Sequence, residues 1–150
     1  MECVDLQYLC TTIGNLAGIP IRIFEGGVQT FYHSVVYLPK DPMVLCRDEV
    51  FAITSHVGYC VTPQFHYYGV VNSGHTKIVV GPTRQVIETE QELRELAFRM
   101  DLSGEDADAM ISGVRSIVRM PVESVLQMLC TVNYVLNDEK LELKDISIYE

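Results

Sequence analysis

Basic residues are scarce and nowhere clustered. The 150 residues hold four lysines, and eleven bases in all stand against twenty acids, for a net charge of −9 and a pI near 4.8. A phosphate-tracking surface shows grouped Lys and Arg and a domain pI above about 9. The composition therefore speaks against direct nucleic-acid binding by this chain. Long apolar runs are missing too: no stretch reaches the roughly 18 residues needed to span a bilayer. The start, Met1-Glu2-Cys3-Val4-Asp5, is not the basic opening of a signal peptide. The expectation is a cytoplasmic protein without membrane contact.

Paired metal or redox signatures are also lacking. The five cysteines, Cys3, Cys10, Cys46, Cys60 and Cys130, include no CxxC and no neighbouring His at ligand spacing. They read as reduced, small apolar residues, with no disulfide framework, metal or cofactor. His33, His56, His66 and His75 lie in four separate places. No GxSxG or HExxH signature accompanies them, so the chain is not expected to be an enzyme.

What is present is core-forming sequence. Hydrophobic residues make up 48% and charged residues 21%, and the mean hydropathy is +0.16. A chain of this length forms one domain and buries about 70% of its unfolded surface. Leu6, Leu9, Cys10, Ile13, Leu16 and Ala17 share a helical stripe ended by Gly18 and Pro20. Residues 21–24 and 28–33, about the turn Glu25-Gly26-Gly27, predict a hairpin. Asp41-Pro42 opens a second helix, whose stripe of Met43, Cys46, Val50, Ile53 and Val57 ends at Gly58. Residues 59–71 are strand-like, interrupted at Pro63 by a bulge or an edge position. After Asn72-Ser73-Gly74, residues 77–80 return as a strand closed by Gly81-Pro82. Thr89 and Glu92 form a capping box, Ser103 caps the next helix, and Pro121 starts a third that runs to Asn137. The tail, 138–150, reads as an extended connector or a short strand. The fold class is α+β: an antiparallel sheet built from two hairpins, with flanking helices, in the outline shared by PAS- and GAF-type sensor domains.

Four segments carry a family resemblance: Leu16-Ala17-Gly18-Ile19-Pro20-Ile21-Arg22-Ile23-Phe24, Phe65-His66-Tyr67-Tyr68-Gly69, Val79-Val80-Gly81-Pro82-Thr83-Arg84-Gln85 and Ser124-Val125-Leu126-Gln127-Met128-Leu129-Cys130. In combination and order they resemble the N-terminal, non-DNA-binding region of AraC-type transcriptional regulators from Gram-positive bacteria. The likeness covers nearly the whole chain. It implies a sensory and dimerising role over residues 1–137. Residues 138–150 would then lead toward a helix-turn-helix half that is absent here.

Within that reading, His66, Tyr68, Thr83 and Arg84 are the candidate ligand contacts. Strand alternation places His66 and Tyr68 on one face of the sheet and Phe65 and Tyr67 on the other, without saying which points inward. The plainer alternatives are a histidine satisfied by a structural partner and a surface arginine facing Glu88, Glu90 and Glu92. Val122, Val125, Leu129, Val132 and Leu136 follow a seam-like alternation along the last helix, on which Leu126, Met128, Cys130 and Val135 are apolar as well. This is either a core helix of the monomer or a helix shared with a twin in a homodimer. The expected partners are thus a second copy and an unidentified small-molecule effector. A ligand-free interaction module and, more remotely, a small enzyme are the competing readings.

Overall fold

The computed structural model describes residues 5–62 and 66–149, with side chains to residue 146. The interruption expected at Pro63, the placement of Phe65 and the reading of Cys3 lie outside the described residues. Helix α1, Leu6–Ala17, is capped by Asp5, whose carboxylate accepts the Tyr8 N–H at 3.0 Å. It closes on Gly18 at φ +71°, the left-handed conformation that suits glycine. Strands β1, Ile21–Glu25, and β2, Val28–His33, form the expected hairpin. Gly26 and Gly27 both take positive φ, as the tight primed turn requires.

The crossover from β2 returns over one face of the sheet. The sequence predicts one helix there, running on to Val57. The structure has a single 3₁₀ turn, Pro42–Leu45, a break at Cys46, and a short α2, Arg47–Ala52. Val57 and Gly58 belong instead to β3, Val57–Val61. Side chains from the sheet stop the helix. Lys77 Nζ donates to the Ile53 carbonyl at 2.6 Å, and Asn72 Nδ2 donates to the carbonyls of Ile53 and Ser55. These bonds satisfy acceptors that a longer helix would use internally.

Strands β3, β4 (His66–Ser73) and β5 (Thr76–Arg84) form an antiparallel meander, so the expected second hairpin is the β4–β5 pair with β3 added beside it. β5 does not close at Gly81-Pro82. The ladder shifts register between Tyr67 and Gly69, and the strand continues to Arg84. Gly81 sits at φ +141°, and a Cβ there would stand 2.7 Å from the Tyr67 carbonyl oxygen. That is a position for glycine alone.

The sheet order is β2-β1-β5-β4-β3-β6, and the first five strands are antiparallel. Of the two forms expected for the tail, it adopts the short strand: β6, Ser147–Tyr149, lies parallel to β3. Leu141, Leu143 and Ile146 pack on the core before it. Helices α3 (Glu90–Arg99), α4 (Gly104–Ser116) and α5 (Val122–Asn137) follow the predicted starts. The Thr89–Glu92 capping box is formed in both directions. Ser103 holds the N-cap position of α4 without a side-chain cap bond.

Side-chain alternation divides the core in two at the sheet. Ile21, Ile23, Val71, Ile78 and Val80 face α1 and α5. Phe24, Cys60, Tyr68, Val70 and Val79 face the crossover, with Met43, Cys46, Val50 and Ile53 upon them. A third cluster joins α3 and α4 to Val36, Leu38 and Leu45 of the crossover. Among the described residues, no helix is long and apolar enough to cross a membrane.

Candidate functional site

The crossover face of the sheet carries two buried polar groups of residues. The first is centred on Arg22. Strand β1 puts Ile21 and Ile23 toward α5, so the residue between them must point under the crossover. Arg22 is 1% exposed, and its two terminal nitrogens hold the Asp41 carboxylate: Nη1 donates to Oδ2, and Nη2 donates to Oδ1 at 3.2 Å. The Asp41 side chain itself is 43% exposed, so the pair spans from interior to solvent. Asp41 Oδ1 also accepts the Met43 N–H at 3.0 Å, which is the helix cap predicted from the sequence. The Tyr32 ring, opposite Arg22 in the ladder, lies 4.8 Å from the guanidinium carbon. Tyr32 is also the first wall of a surface cleft of about 470 Å³ that continues along residues 33–38.

Tyr68 belongs to the same group. It is fully enclosed, and Arg22, Asp41, Cys46 and Cys60 are the charged and polar groups that act on its hydroxyl. Burial raises its pKa well above the ordinary phenol value, so it is a neutral donor at physiological pH. Neither Tyr68 Oη nor Arg22 Nε has a hydrogen-bond partner among the described residues. A buried donor left unpaired costs about 1–3 kcal/mol. Beside them the Cys46 and Cys60 thiols face each other and share a side-chain hydrogen bond. That bond, then burial, pushes the Cys46 pKa up, and the same bond draws Cys60's down.

The second group joins His66, Arg84 and Glu88. His66 and Arg84 are ladder partners and so share a face. Glu88, in the link to α3, accepts from both: His66 Nε2 at 2.9 Å and Arg84 Nη1 at 2.7 Å. Arg84 also donates to the carbonyls of Ile117 (Nε, 3.0 Å) and Arg115 (Nη2, 2.9 Å) at the end of α4. Burial lowers the pKa of His66, which leaves the ring neutral and donating through Nε2. For Glu88, burial acts upward, but the bonds from His66 and Arg84 outweigh it and hold the carboxyl below its usual range.

Of the four residues singled out from the sequence, His66, Tyr68 and Arg84 thus share the crossover face by alternation. Thr83 pairs with Tyr67 and lies on the opposite face, fully buried, its hydroxyl without a hydrogen-bond partner among the described residues. His66 and Arg84 are satisfied by Glu88 and by backbone. Arg84 faces the acid expected of it, but from the interior rather than the surface. On α5, Val125, Leu129 and Val132 are buried in the chain's own core, and Val122 and Leu136 pack against it. Leu129 sits directly over Gly69, where a Cβ would come within 2.6 Å of Leu129 Cδ1. The outward face of α5 presents Gln127, Thr131 and Tyr134.

Sequence reasoning missed Arg22 as a site residue, although its charge in the otherwise apolar run Ile21-Arg22-Ile23-Phe24 is a readable signal. It took Asp41 for a helix cap alone, and the meeting of Cys46 with Cys60 had no signal in spacing. Among the described residues, no cluster of three His, Cys, Asp or Glu side chains suits a metal ion. No protein-family model, no curated protein and no solved structure matches this chain.

Proposed function

We propose that this chain is the ligand-sensing and dimerising domain of an AraC-type transcriptional regulator, acting on a C-terminal DNA-binding half. The observation that carries the sensing role is the pair of unpartnered donors, Tyr68 Oη and Arg22 Nε, on the sheet face beneath the crossover. Convergent buried polar groups in an apolar surround are what a small-molecule site requires. The family resemblance and the α+β outline, with helices over both faces of an antiparallel sheet, support the assignment to a PAS- or GAF-like sensor. Signal transmission needs a ligand that favours one arrangement of the chain over another. The route we infer runs from the crossover through α3 and α4, then along α5 and the tail. Dimerisation rests on the resemblance alone. A contact through α5 would use its outward face, because the seam residues lie in the core.

A crystal structure of the chain produced in bacteria tests the sensing role. Density larger than water, bonded to Tyr68 Oη, supports it. An interior closed around single waters at both donors rejects it and leaves a structural interaction module.

A further inference from the structure

We propose that the Arg22–Tyr68 site takes a small organic carboxylate, and that Asp41 is its built-in competitor. The proposal rests on the sensor reading above and names the ligand class. Three observations lead to it. The unpaired groups are both donors, Arg22 Nε–H and Tyr68 Oη–H, and each is enclosed. A guanidinium edge beside a phenol matches the two oxygens of a carboxylate, which accepts and never donates when ionised. The fork of Arg22 already holds one carboxylate, that of Asp41, so the site is chemically suited to the group. And Asp41 is the solvent-facing member of the pair, standing at the edge where the chain's interior meets water.

A ligand carboxylate accepting from Nε and Oη shares one cation with Asp41. The two anions repel each other and divide the same attraction, so binding one weakens the hold on the other. Asp41 also caps the 3₁₀ turn through the Met43 N–H. Loosening Asp41 from Arg22 therefore frees the start of Pro42–Leu45, and with it Cys46, the crossover residue that packs on the sheet beside Cys60 and Tyr68. The cleft that could take the rest of the ligand begins at the Tyr32 ring, which lies against the Arg22 guanidinium, and runs along Val35, Val36 and Leu38. Arg22 thus supplies charge, Tyr68 direction, and Asp41 the resting state.

The test is calorimetric titration of the whole chain with acetate, butyrate and benzoate, with butyramide and benzamide as neutral twins of the last two acids. The carboxylates are expected to bind and the amides not. Asp41→Asn keeps a good helix cap while removing the competing charge, and is expected to tighten carboxylate binding about tenfold, the worth of one charge-assisted hydrogen bond. Tyr68→Phe keeps the ring and removes one donor, and is expected to weaken binding about tenfold. Hydrogen exchange at the Met43 to Cys46 amides should quicken when butyrate or benzoate binds, a change that a purely structural ion pair would not show. Failure of Asp41→Asn to tighten binding, or amides that bind as well as acids, overturns the carboxylate while leaving a sensor of neutral ligands. No binding by any of the five overturns the proposal, and a closed interior in the crystal then removes the sensor reading with it.

Discussion

His66 and Glu88 share a buried hydrogen bond, Nε2 to Oε1 at 2.9 Å, that ties the first residue of β4 to the link before α3. Both side chains are about 5% exposed or less. Burial of this pair makes stability depend on pH in one direction. His66 titrates lower in the fold than its ordinary 6.5, because burial disfavours the imidazolium. Between those two values the unfolded chain binds more protons than the folded one, so stability falls as pH drops below about 6.5. Glu88 is held below its ordinary 4.5, and its contribution is present above that value and lost as pH falls through the folded one. Urea midpoints measured from pH 7.5 to 3 should hold down to about pH 6.5, decline below it, and decline again below about pH 4.5. His66→Gln should flatten the upper part of that curve and leave the lower part in place.

Arg84 is the joint between the sheet and α4. Its guanidinium binds Glu88 and the carbonyls of Arg115 and Ile117, and its backbone N–H donates to the Val118 carbonyl. Replacing it with Met leaves Glu88 a buried anion with only His66 as partner. Removing one member of a buried pair costs about 3–5 kcal/mol. Denaturant unfolding of Arg84→Met should show a loss of that order. Arg84→Met with Glu88→Gln should recover part of it, because no unpaired charge remains.

Much of this architecture was legible because local signals agree with one another. The Gly26-Gly27 turn, the Gly18 stop, the Thr89 cap and the Pro121 start each mark an element end that tertiary packing leaves unchanged. The misread elements are those decided by partners distant in sequence. The stripe Cys46, Val50, Ile53, Val57 is helical in spacing, but Lys77 and Asn72 take the carbonyls that would extend α2, and Val71 claims Val57 as a strand partner. At the site, alternation puts His66 and Tyr68 on one face of β4, but their partners divide them into two groups. It could not show that Glu88 satisfies His66, or that Arg22 replaces it as the polar residue beside Tyr68. Those are contacts across sequence gaps that no periodicity records.

The four described thiols should be silent until the chain opens, which a Cys3→Ser background lets Ellman's reagent read alone. Cys10, Cys46, Cys60 and Cys130 are all buried. Burial pushes the Cys10 pKa up to about 12, and also raises that of Cys130. A thiolate is the reactive form, so these cysteines are slow nucleophiles in the fold. Ellman's reagent at pH 8 should titrate them only at the rate of local or global opening, and fully in 6 M guanidinium, a denaturing concentration. Cys60 differs, because its bond with Cys46 draws the pKa down. Cys46→Ala removes that bond and should slow the reaction of Cys60 in partly opened states. Prompt labelling of Cys46 or Cys60 in the native chain would show that the crossover does not seal this face.

Leu129 decides between the two readings of α5. It is completely buried, its methyl groups lying over Gly69 at the centre of β4, with Val125 and Val132 enclosed beside it. Leu129→Ala empties that contact and should cost about 2–5 kcal/mol, as buried leucines do when the surround relaxes only in part. Gly69→Ala approaches from the other side. Its new methyl would stand 2.6 Å from Leu129 Cδ1, so α5 must lift or Leu129 must leave its rotamer, at about 1–3 kcal/mol. The two changes together should cost less than their sum, because the smaller side chain makes room for the new methyl. Loss of Leu129 should act on unfolding free energy with no first-order change in association, since its contacts lie inside one chain. The outward face behaves in the reverse manner. Tyr134 is 48% exposed, with Gln127 and Thr131 on the same side of the helix. If the proposed dimer meets through α5, Tyr134→Glu should shift light scattering toward the monomer with little effect on the urea midpoint extrapolated to low protein concentration. A chain that scatters as a monomer at micromolar concentration before any substitution removes dimerisation from the proposal and leaves α5 as core.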